Sequence, residues 1–465
     1  MSKFHYFFCG IGGSGMLPLA MIVSGQGHIV SGSDRGNDQG RSPEKFEWLS
    51  RQNINLFPQD GSGLQDGMIL VVSSAIEDSI PDIKRAKELN LKIIKRAELL
   101  SSLFNNAKQR IGIAGTSGKS TTTGMVGYAL SQLNQNPTMM NGAVLKDFAK
   151  DFTSDKNPYA TYLNGTSDIF VSEIDESDGT IEFYNPTIAV ITNVALDHKP
   201  MAELIPLFQN YAQRAEYLVI PYHANYMSEV IQHIDSNKIL TFGFDDGADL
   251  TAHNILFEQN KVSAKIRYKQ QHADLNLNVT GKHNIMNALA AIGAMLNMNF
   301  KLDNICNALS NFSGIKRRME FVGRSENNIF IYDDFAHNPD KISASLQSLK
   351  QHKGRLLILF QMHGYAPLKF MRDELKESFI KFLDKDDHLY MPEVLYLGGT
   401  VDRSFTAKDF LNELRQDHSN AFWAETRDNI IEMMIKDSKP YDRIIIMGAR
   451  DDSLSDVAKE ILNRV

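Results

Sequence analysis

Apolar runs of strand length alternate with segments of helical length along most of the chain, the pattern of an α/β protein. In the first hundred residues the pattern predicts strands at Tyr6–Cys9, Ile29–Gly32, Met68–Ser73 and Lys92–Ile94, and an apolar helix over Met16–Ser24. The polar stretch Asn105-Asn106-Ala107-Lys108 reads as a linker. Strands are then predicted at Arg110–Ala114, Ile169–Glu173 and Thr187–Thr192, and residues 245–280 alternate in the manner of a β-meander. A last block, after Gly314-Ile315-Lys316-Arg317-Arg318, carries strands at Ile329–Tyr332, Arg355–Phe360 and Arg443–Met447. For 465 residues this divides into three α/β domains, 1–107, 108–315 and 316–465.

Composition narrows the class. The net charge of -7, with no Lys/Arg-rich tract, argues against a nucleic-acid partner. No apolar stretch approaches the ~20 residues of a membrane span. The N-terminus lacks the basic and apolar regions of a secretory signal, so a cytoplasmic protein is expected. Cys9 and Cys306 lie far apart without any CxxC pattern, which predicts two buried free thiols rather than a zinc site.

Candidate chemistry begins with two glycine loops. Gly10-Ile11-Gly12-Gly13-Ser14-Gly15 follows a strand, precedes an apolar helix, and has Asp34 at the end of the next strand. That G-x-G-x-x-G spacing suits a pyrophosphate held on helix amides, with the acid accepting from a ribose hydroxyl. A tight turn that binds nothing is the alternative. The second loop, Gly115-Thr116-Ser117-Gly118-Lys119-Ser120-Thr121, is shorter than the full phosphate-loop pattern, because Ile113 stands at the first glycine. Its amides are still placed to cradle phosphates, with Lys119 reaching the β/γ-phosphates and Ser120 ligating Mg²⁺. A P-loop ATPase-type central domain between two Rossmann-like domains follows. Glu173 and, after Asn193, the pair Asp197-His198 close two strands of that central domain. In open α/β sheets such positions face the ligand crevice, so Glu173 and His198 are candidate magnesium ligands.

Together these motifs resemble the Mur ligase family across essentially the whole chain. The resemblance implies an ATP-dependent ligase that joins an amino acid, L-alanine foremost, to the lactyl carboxylate of UDP-N-acetylmuramate. A recycled tripeptide is the alternative acceptor. It identifies Gly115–Thr121 as the family's ATP loop, and Ser120, Glu173 and His198 as its Mg²⁺ ligands. Asn284 and Asn287, in Gly281–Ala288, fall in the adenine-side motif. Arg318 in Lys316–Glu320 and Asp334 in Tyr332–Pro339 are implied to complete the ATP site, with His337 or Asp334 as a base for the amine. Gly10, Gly12, Gly13, Ser14, Gly15, Ser33, Asp34, Ser73 and Ser74 are implied to hold UDP rather than NAD.

Several positions depart from the family pattern. Ser117 replaces a histidine, Lys199-Pro200 follows His198, and Gln361-Met362-His363-Gly364-Tyr365 lacks the arginine that alanine-adding members place after their histidine. No lysine occurs between Lys199 and Lys238, so the helix predicted over Met201–Ala215 offers no site for the carbamylated lysine found in other members. An NAD-dependent oxidoreductase and a nucleotide-regulated, non-catalytic binding protein remain as readings from other classes.

Overall fold

The computed structural model describes residues 3–73, 79–149, 157–176, 179–195, 200–258, 260–395, 402–451 and 453–465. Ser74, Asp197, His198 and Lys199, among the residues singled out above, lie outside this set.

Three sheets organise the chain. The first contains β1 (His5–Cys9), β2 (Ile29–Ser33), β3 (Asn55–Phe57), β4 (Ile69–Val72) and β5 (Lys92–Lys95), in the order β3-β2-β1-β4-β5. All of its pairings are parallel. The strand order reverses between β1 and β4, and there the chain leaves β1 as the first glycine loop, at the crevice where doubly wound sheets bind ligands.

The second sheet holds β6 (Gln109–Ala114), β7 (Thr138–Met140), β8 (Tyr162–Leu163), β9 (Ile169–Glu173), β10 (Ile188–Ile191), β11 (Tyr217–Pro221), β12 (Ile239–Gly243), β13 (Leu250–Phe257), β14 (Val262–Tyr268) and β15 (Gln271–Leu277). Its order is β15-β14-β13-β12-β11-β10-β6-β9-β7-β8, so β6, which carries the phosphate loop, lies between β10 and β9. Both neighbours run parallel to it, and the loops after all three strands therefore emerge on one edge. The third sheet contains β16 (Glu320–Arg324), β17 (Phe330–Asp334), β18 (Leu356–Gln361), β19 (His388–Pro392), β20 (Ala421–Ala424) and β21 (Arg443–Gly448), ordered β16-β17-β21-β18-β19-β20. Only β16 is antiparallel to its neighbour.

The helix Met16–Gly25 explains how the first two sheets come to share a core. Every residue from Met16 to Val23 is buried, so the helix is apolar all round and needs a partner on both sides. It packs on β2 of the first sheet and on β7 and β8 of the second. Asn164 Nδ2 donates to the Met21 carbonyl at 3.1 Å. The expected linker at 105–108 is corrected here. Asn105 closes the helix Arg96–Asn106, and its amide nitrogen donates to the Phe183 carbonyl at 2.8 Å. Asn185 N donates back to Asn105 Oδ1 at 2.9 Å, and Phe104 meets Phe170 edge-on.

One apolar cluster accordingly runs from Tyr6 to Val230, and residues 3–255 fall in a single compact unit with 263–276 and 285–313. The second unit comprises 314–465 together with 256–262 and 277–284. Cys9 and Cys306 are both buried and free.

The first sheet leaves no room for a side chain at Gly32. A Cβ there would sit 2.6 Å from the Phe8 carbonyl oxygen and 2.9 Å from Ile11, which opens the glycine loop. Gly32→Ala should therefore destabilise the first unit by about 1–3 kcal/mol, the usual penalty of overpacking against backbone. Gly243→Ala, whose Cβ would meet nothing closer than 3.9 Å, serves as the control in a thermal melt.

Candidate active site

The phosphate loop turns on two glycines with positive φ, Gly115 at +127° and Gly118 at +85°. Side chains would fail at both for steric reasons as well. A Cβ on Gly115 would lie 2.3 Å from Thr192 Oγ1, and one on Gly118 would lie 2.4 Å from Asn287 Oδ1. The loop is stitched to the end of β10: Thr192 Oγ1 donates to the Ser117 carbonyl at 2.6 Å, and Ser117 N donates to Asn193 Oδ1 at 2.9 Å. Thr116 Oγ1 bonds the Ala195 carbonyl and accepts from the Ala195 amide. The Thr116 amide donates to the Asn193 carbonyl at 3.2 Å, so the amides of Thr116 and Ser117 are both used. Those of Gly118, Lys119, Ser120 and Thr121 find no acceptor among the described residues, and they open the helix Lys119–Gln132. A cluster of free amides at a helix N-terminus is a ready anion site.

Lys119 is already engaged. Its ammonium donates to the Gly115 carbonyl at 2.6 Å and to both oxygens of Glu176, at 2.9 and 3.2 Å. Glu176 is buried at 4% exposure. Burial is the larger influence on its carboxyl and raises the pKa above the ordinary value, while Lys119 pulls the other way. Glu176 had no role in the sequence reading. It stood in an acid-rich stretch, and only the geometry separates it from Asp175.

Glu173, at the end of β9, accepts from the Gly142 amide through Oε2 at 2.8 Å and is half-buried. Ser120 sits in the first turn of the phosphate-loop helix. Both offer the hard oxygen donors that Mg²⁺ prefers. His198, the expected third member, falls outside the described residues. Among those that are described, no group of three His, Cys, Asp or Glu side chains converges as a metal cage. Asn287, expected on the adenine side, lies against the loop at Gly118, and its Oδ1 is 3.5 Å from Thr122 Oγ1.

The first glycine loop departs from its expected chemistry. Asp34 is committed to the protein: Oδ2 accepts from Gly12 N at 2.8 Å and Oδ1 from Gly36 N at 2.7 Å. Asp34 thus shapes the loop, whatever else it contacts. Ser33 likewise turns inward, its hydroxyl donating to the buried Asp82 carboxylate. At Gly12 a Cβ would strike the Phe46 ring at 2.8 Å, so this glycine makes space for Phe46. Gly10 and Ile11 donate to the Ser33 carbonyl and Gly13 to that of Gly10. The amides of Ser14 and Gly15 are the pair left without a partner among the described residues. Arg96, which the sequence reading missed, lies beside them, with Cδ and Nε 3.2 Å from the Cβ position of Gly15. Ser73 is described as coil just beyond β4.

The remaining candidates belong to the second unit. Asn284 is buried, and its amide nitrogen donates to the Thr280 carbonyl at 2.7 Å. The guanidinium of Arg318 stands 4.8 Å over the Phe335 ring. Arg317 is buried in an ion pair with Asp333 at 3.2 Å. Asp334 is buried, accepting from Ser345 Oγ and, at 3.3 Å, from Met319 N, so its oxygens are already engaged. His337 Nδ1 lies 2.8 Å from the Phe335 carbonyl and must donate to it, which leaves Nε2 as an acceptor. Burial lowers its pKa to about 4. An imidazole so disposed accepts a hydrogen bond well but holds a proton poorly, and Asp334 is no freer to act as a base.

Two glycine loops thus stand on two different sheets, one with its own lysine drawn onto Glu176 and the other with Arg96 beside it. The chain belongs to the Mur ligase family. Residues 5–108 match the model of the Mur ligase family catalytic domain, 113–295 the Mur ligase middle domain, and 317–450 the Mur ligase glutamate ligase domain. It is 31% identical over 457 residues to the UDP-N-acetylmuramate–L-alanine ligase of Caldicellulosiruptor bescii, covering 96% of each chain. To the enzyme of that name from Vesicomyosocius okutanii it is 33% identical, over 83% of this chain and 81% of the other. In fold it is similar to the UDP-N-acetylmuramate–alanine ligase of Thermotoga maritima, with a TM-score of 0.79 at 23% identity and 99% coverage of both. The murein peptide ligase of Psychrobacter arcticus follows at 0.67 and 22%, over 99% of this chain and 98% of the other.

Glu176 places a negative charge where a nucleotide would bring several more. Glu176→Gln keeps the shape of the side chain while removing that charge and its claim on Lys119. ATP should then bind roughly tenfold more tightly, the order expected for one like charge a few ångströms away at intermediate dielectric. Titration calorimetry reads this directly. Weaker binding would mean that Glu176 serves chiefly to hold the lysine in place.

Proposed function

We propose that this chain joins L-alanine to the lactyl carboxylate of UDP-N-acetylmuramate, converting ATP to ADP and phosphate. The observation that carries the reading is its end-to-end likeness to UDP-N-acetylmuramate–L-alanine ligases, at 31% identity over 96% of both chains. The free amides at Gly118–Thr121 and the engaged lysine beside them support a triphosphate at the second loop. The Ser14 and Gly15 amides with Arg96 suit the diphosphate of the sugar nucleotide. No helix among the described residues is long and apolar enough to cross a membrane, and the reading places the reaction in the cytoplasm.

The chemistry runs in two steps. The lactyl carboxylate attacks the γ-phosphorus and ADP departs, leaving an acyl phosphate. The amine of the acceptor then attacks the acyl carbon and phosphate leaves. The first step asks for in-line placement and charge neutralisation rather than covalent help from the protein. Lys119 brings its charge to the β/γ-phosphates, and the loop amides fix their oxygens. Ser120 and Glu173, with His198, are the residues that would hold Mg²⁺, which when bound adds positive charge beside the same phosphates. The family pattern assigns Arg318 and Asp334 to the same nucleotide.

Phosphate release from the purified protein should require ATP, UDP-N-acetylmuramate and L-alanine together. Replacing L-alanine by the L-Ala-γ-D-Glu-diaminopimelate tripeptide should give little product, and the reverse preference would move the chain to the peptide-recycling branch of the family. Lys119→Ala should cut the rate by about 10²–10³, as loss of a preorganised charge contact does. Activity within a few-fold of the parent would sink the assignment of the phosphate loop.

A further inference from the structure

In the third sheet, β17, β21 and β18 run side by side and parallel. Asp334 pairs with Met447, and Gln361 pairs with Gly448. Counting onward from those pairs, His337 stands three residues beyond Asp334, Arg450 three beyond Met447, and His363 two beyond Gln361, level with Arg450. Three neighbouring strands thus deliver an imidazole, a guanidinium and a second imidazole just past their carboxyl ends, where α/β sheets bind ligands. The two rings meet edge-on with centroids 5.4 Å apart. Burial, and then the charge of Arg450, lower the pKa of His363, so the arginine stands close enough to be felt there.

Arg450 differs from the other arginines around it. Arg317, Arg355 and Arg427 each hold an aspartate, at 3.2, 2.7 and 2.5 Å. The aspartate next to Arg450 in sequence, Asp451, is the one taken by Arg427, and its other oxygen accepts from Ser453. Arg450 is exposed, and no carboxylate among the described residues pairs with it. Its backbone is held at φ +60°, a conformation uncommon for a residue with a Cβ, two residues after Gly448 at +154°. The chain thus presents, from a turn of positive φ, a cation without a carboxylate partner among the described residues, beside a strand where Gly364 follows His363 and no cation does.

We infer that Arg450 binds the carboxylate of the incoming acceptor, with His337 Nε2 receiving a hydrogen bond from the acceptor's amine. The inference rests on the ligase reading above and narrows its second substrate. A carboxylate and an amine that fit side by side between Arg450 and His337 belong to one α-carbon, which is the chemistry of a free amino acid. In a peptide the atom next to the terminal amine's carbon is an amide carbonyl, which carries no charge for the guanidinium.

The test compares L-alanine with L-alaninamide as acceptors for the full-length enzyme at saturating ATP and UDP-N-acetylmuramate. The parent should prefer L-alanine. In Arg450→Gln the KM for L-alanine should rise about 50–100-fold, as for loss of a charge-assisted contact, while kcat/KM for L-alaninamide stays within a few-fold of the parent. Arg450→Lys should recover part of the loss. Acyl phosphate formation without acceptor, followed by positional isotope exchange in labelled ATP, should continue in Arg450→Gln.

An unchanged KM for L-alanine in Arg450→Gln, with an active parent, would overturn the assignment alone. Loss of isotope exchange together with alanine affinity would also overturn it, by placing Arg450 in the activation step. A parent that turns over with the tripeptide and not with L-alanine would instead defeat the ligase reading in its alanine form. The requirement for a carboxylate beside the amine would fall with it.

Discussion

Thr192 and Asn193, at the end of β10, hold the phosphate loop in the one shape that frees its later amides. Thr192 Oγ1 donates to the Ser117 carbonyl and Asn193 Oδ1 accepts the Ser117 amide, so the first half of the loop is tied down by its neighbour strand. The amides of the second half are left without acceptors among the described residues, the arrangement that suits an anion. Gly115 is required because Thr192 comes so close, and Gly118 because Asn287 does. The parallel order β10-β6-β9 brings these partners to the same edge as Glu173 and Glu176.

Electrostatics within each unit follow one economy: cations near the ligand positions are either held by a buried partner or left bare. Lys119 rests on Glu176, whose burial makes it a reluctant anion and hence a displaceable one. Arg317 is spent on Asp333 and the Gly448 carbonyl, and so braces the turn after β21. Arg96 and Arg450 have no carboxylate partner among the described residues, and each lies next to a glycine-bearing turn at the carboxyl end of a parallel strand. Buried pairs stabilise little in net terms but hold their side chains in a set geometry.

The alternation of apolar and polar residues disclosed the sheets closely. Ile169–Glu173 matches its strand residue for residue, and the other predicted strands are displaced by one or two residues at their ends. Parallel strands covered on both faces leave continuous apolar runs, which need no knowledge of distant partners. The phosphate loop was legible for a similar reason, because its function depends on local backbone shape. What escaped the sequence depends on partners far along the chain. Glu176 reaches Lys119 across 57 positions, and Asp34 reaches Gly12 across 22. Arg96 meets Gly15 only because β4 and β5 place its helix beside the first loop. Of the linker read at 105–108, Asn105 and Asn106 end a helix instead, because an asparagine looks merely polar in isolation while the partners of Asn105 are Phe183 and Asn185, far along the chain. The signal that could have warned of this was the helix Met16–Gly25, whose apolar surface is too wide for a single sheet.

That seam has a further consequence. Because one apolar cluster and the Asn105 and Asn164 hydrogen bonds fasten the first sheet to the second, the Ser14–Gly15 amides and the phosphate loop stand at a set separation. For a substrate anchored at one end by its diphosphate and reacting at the other, the seam works as a ruler. On the proposed function, only a sugar nucleotide of the right length would bring its carboxylate to the γ-phosphate, and part of the selectivity would be written in the packing of Phe104 and Met21, side chains that need touch no substrate at all.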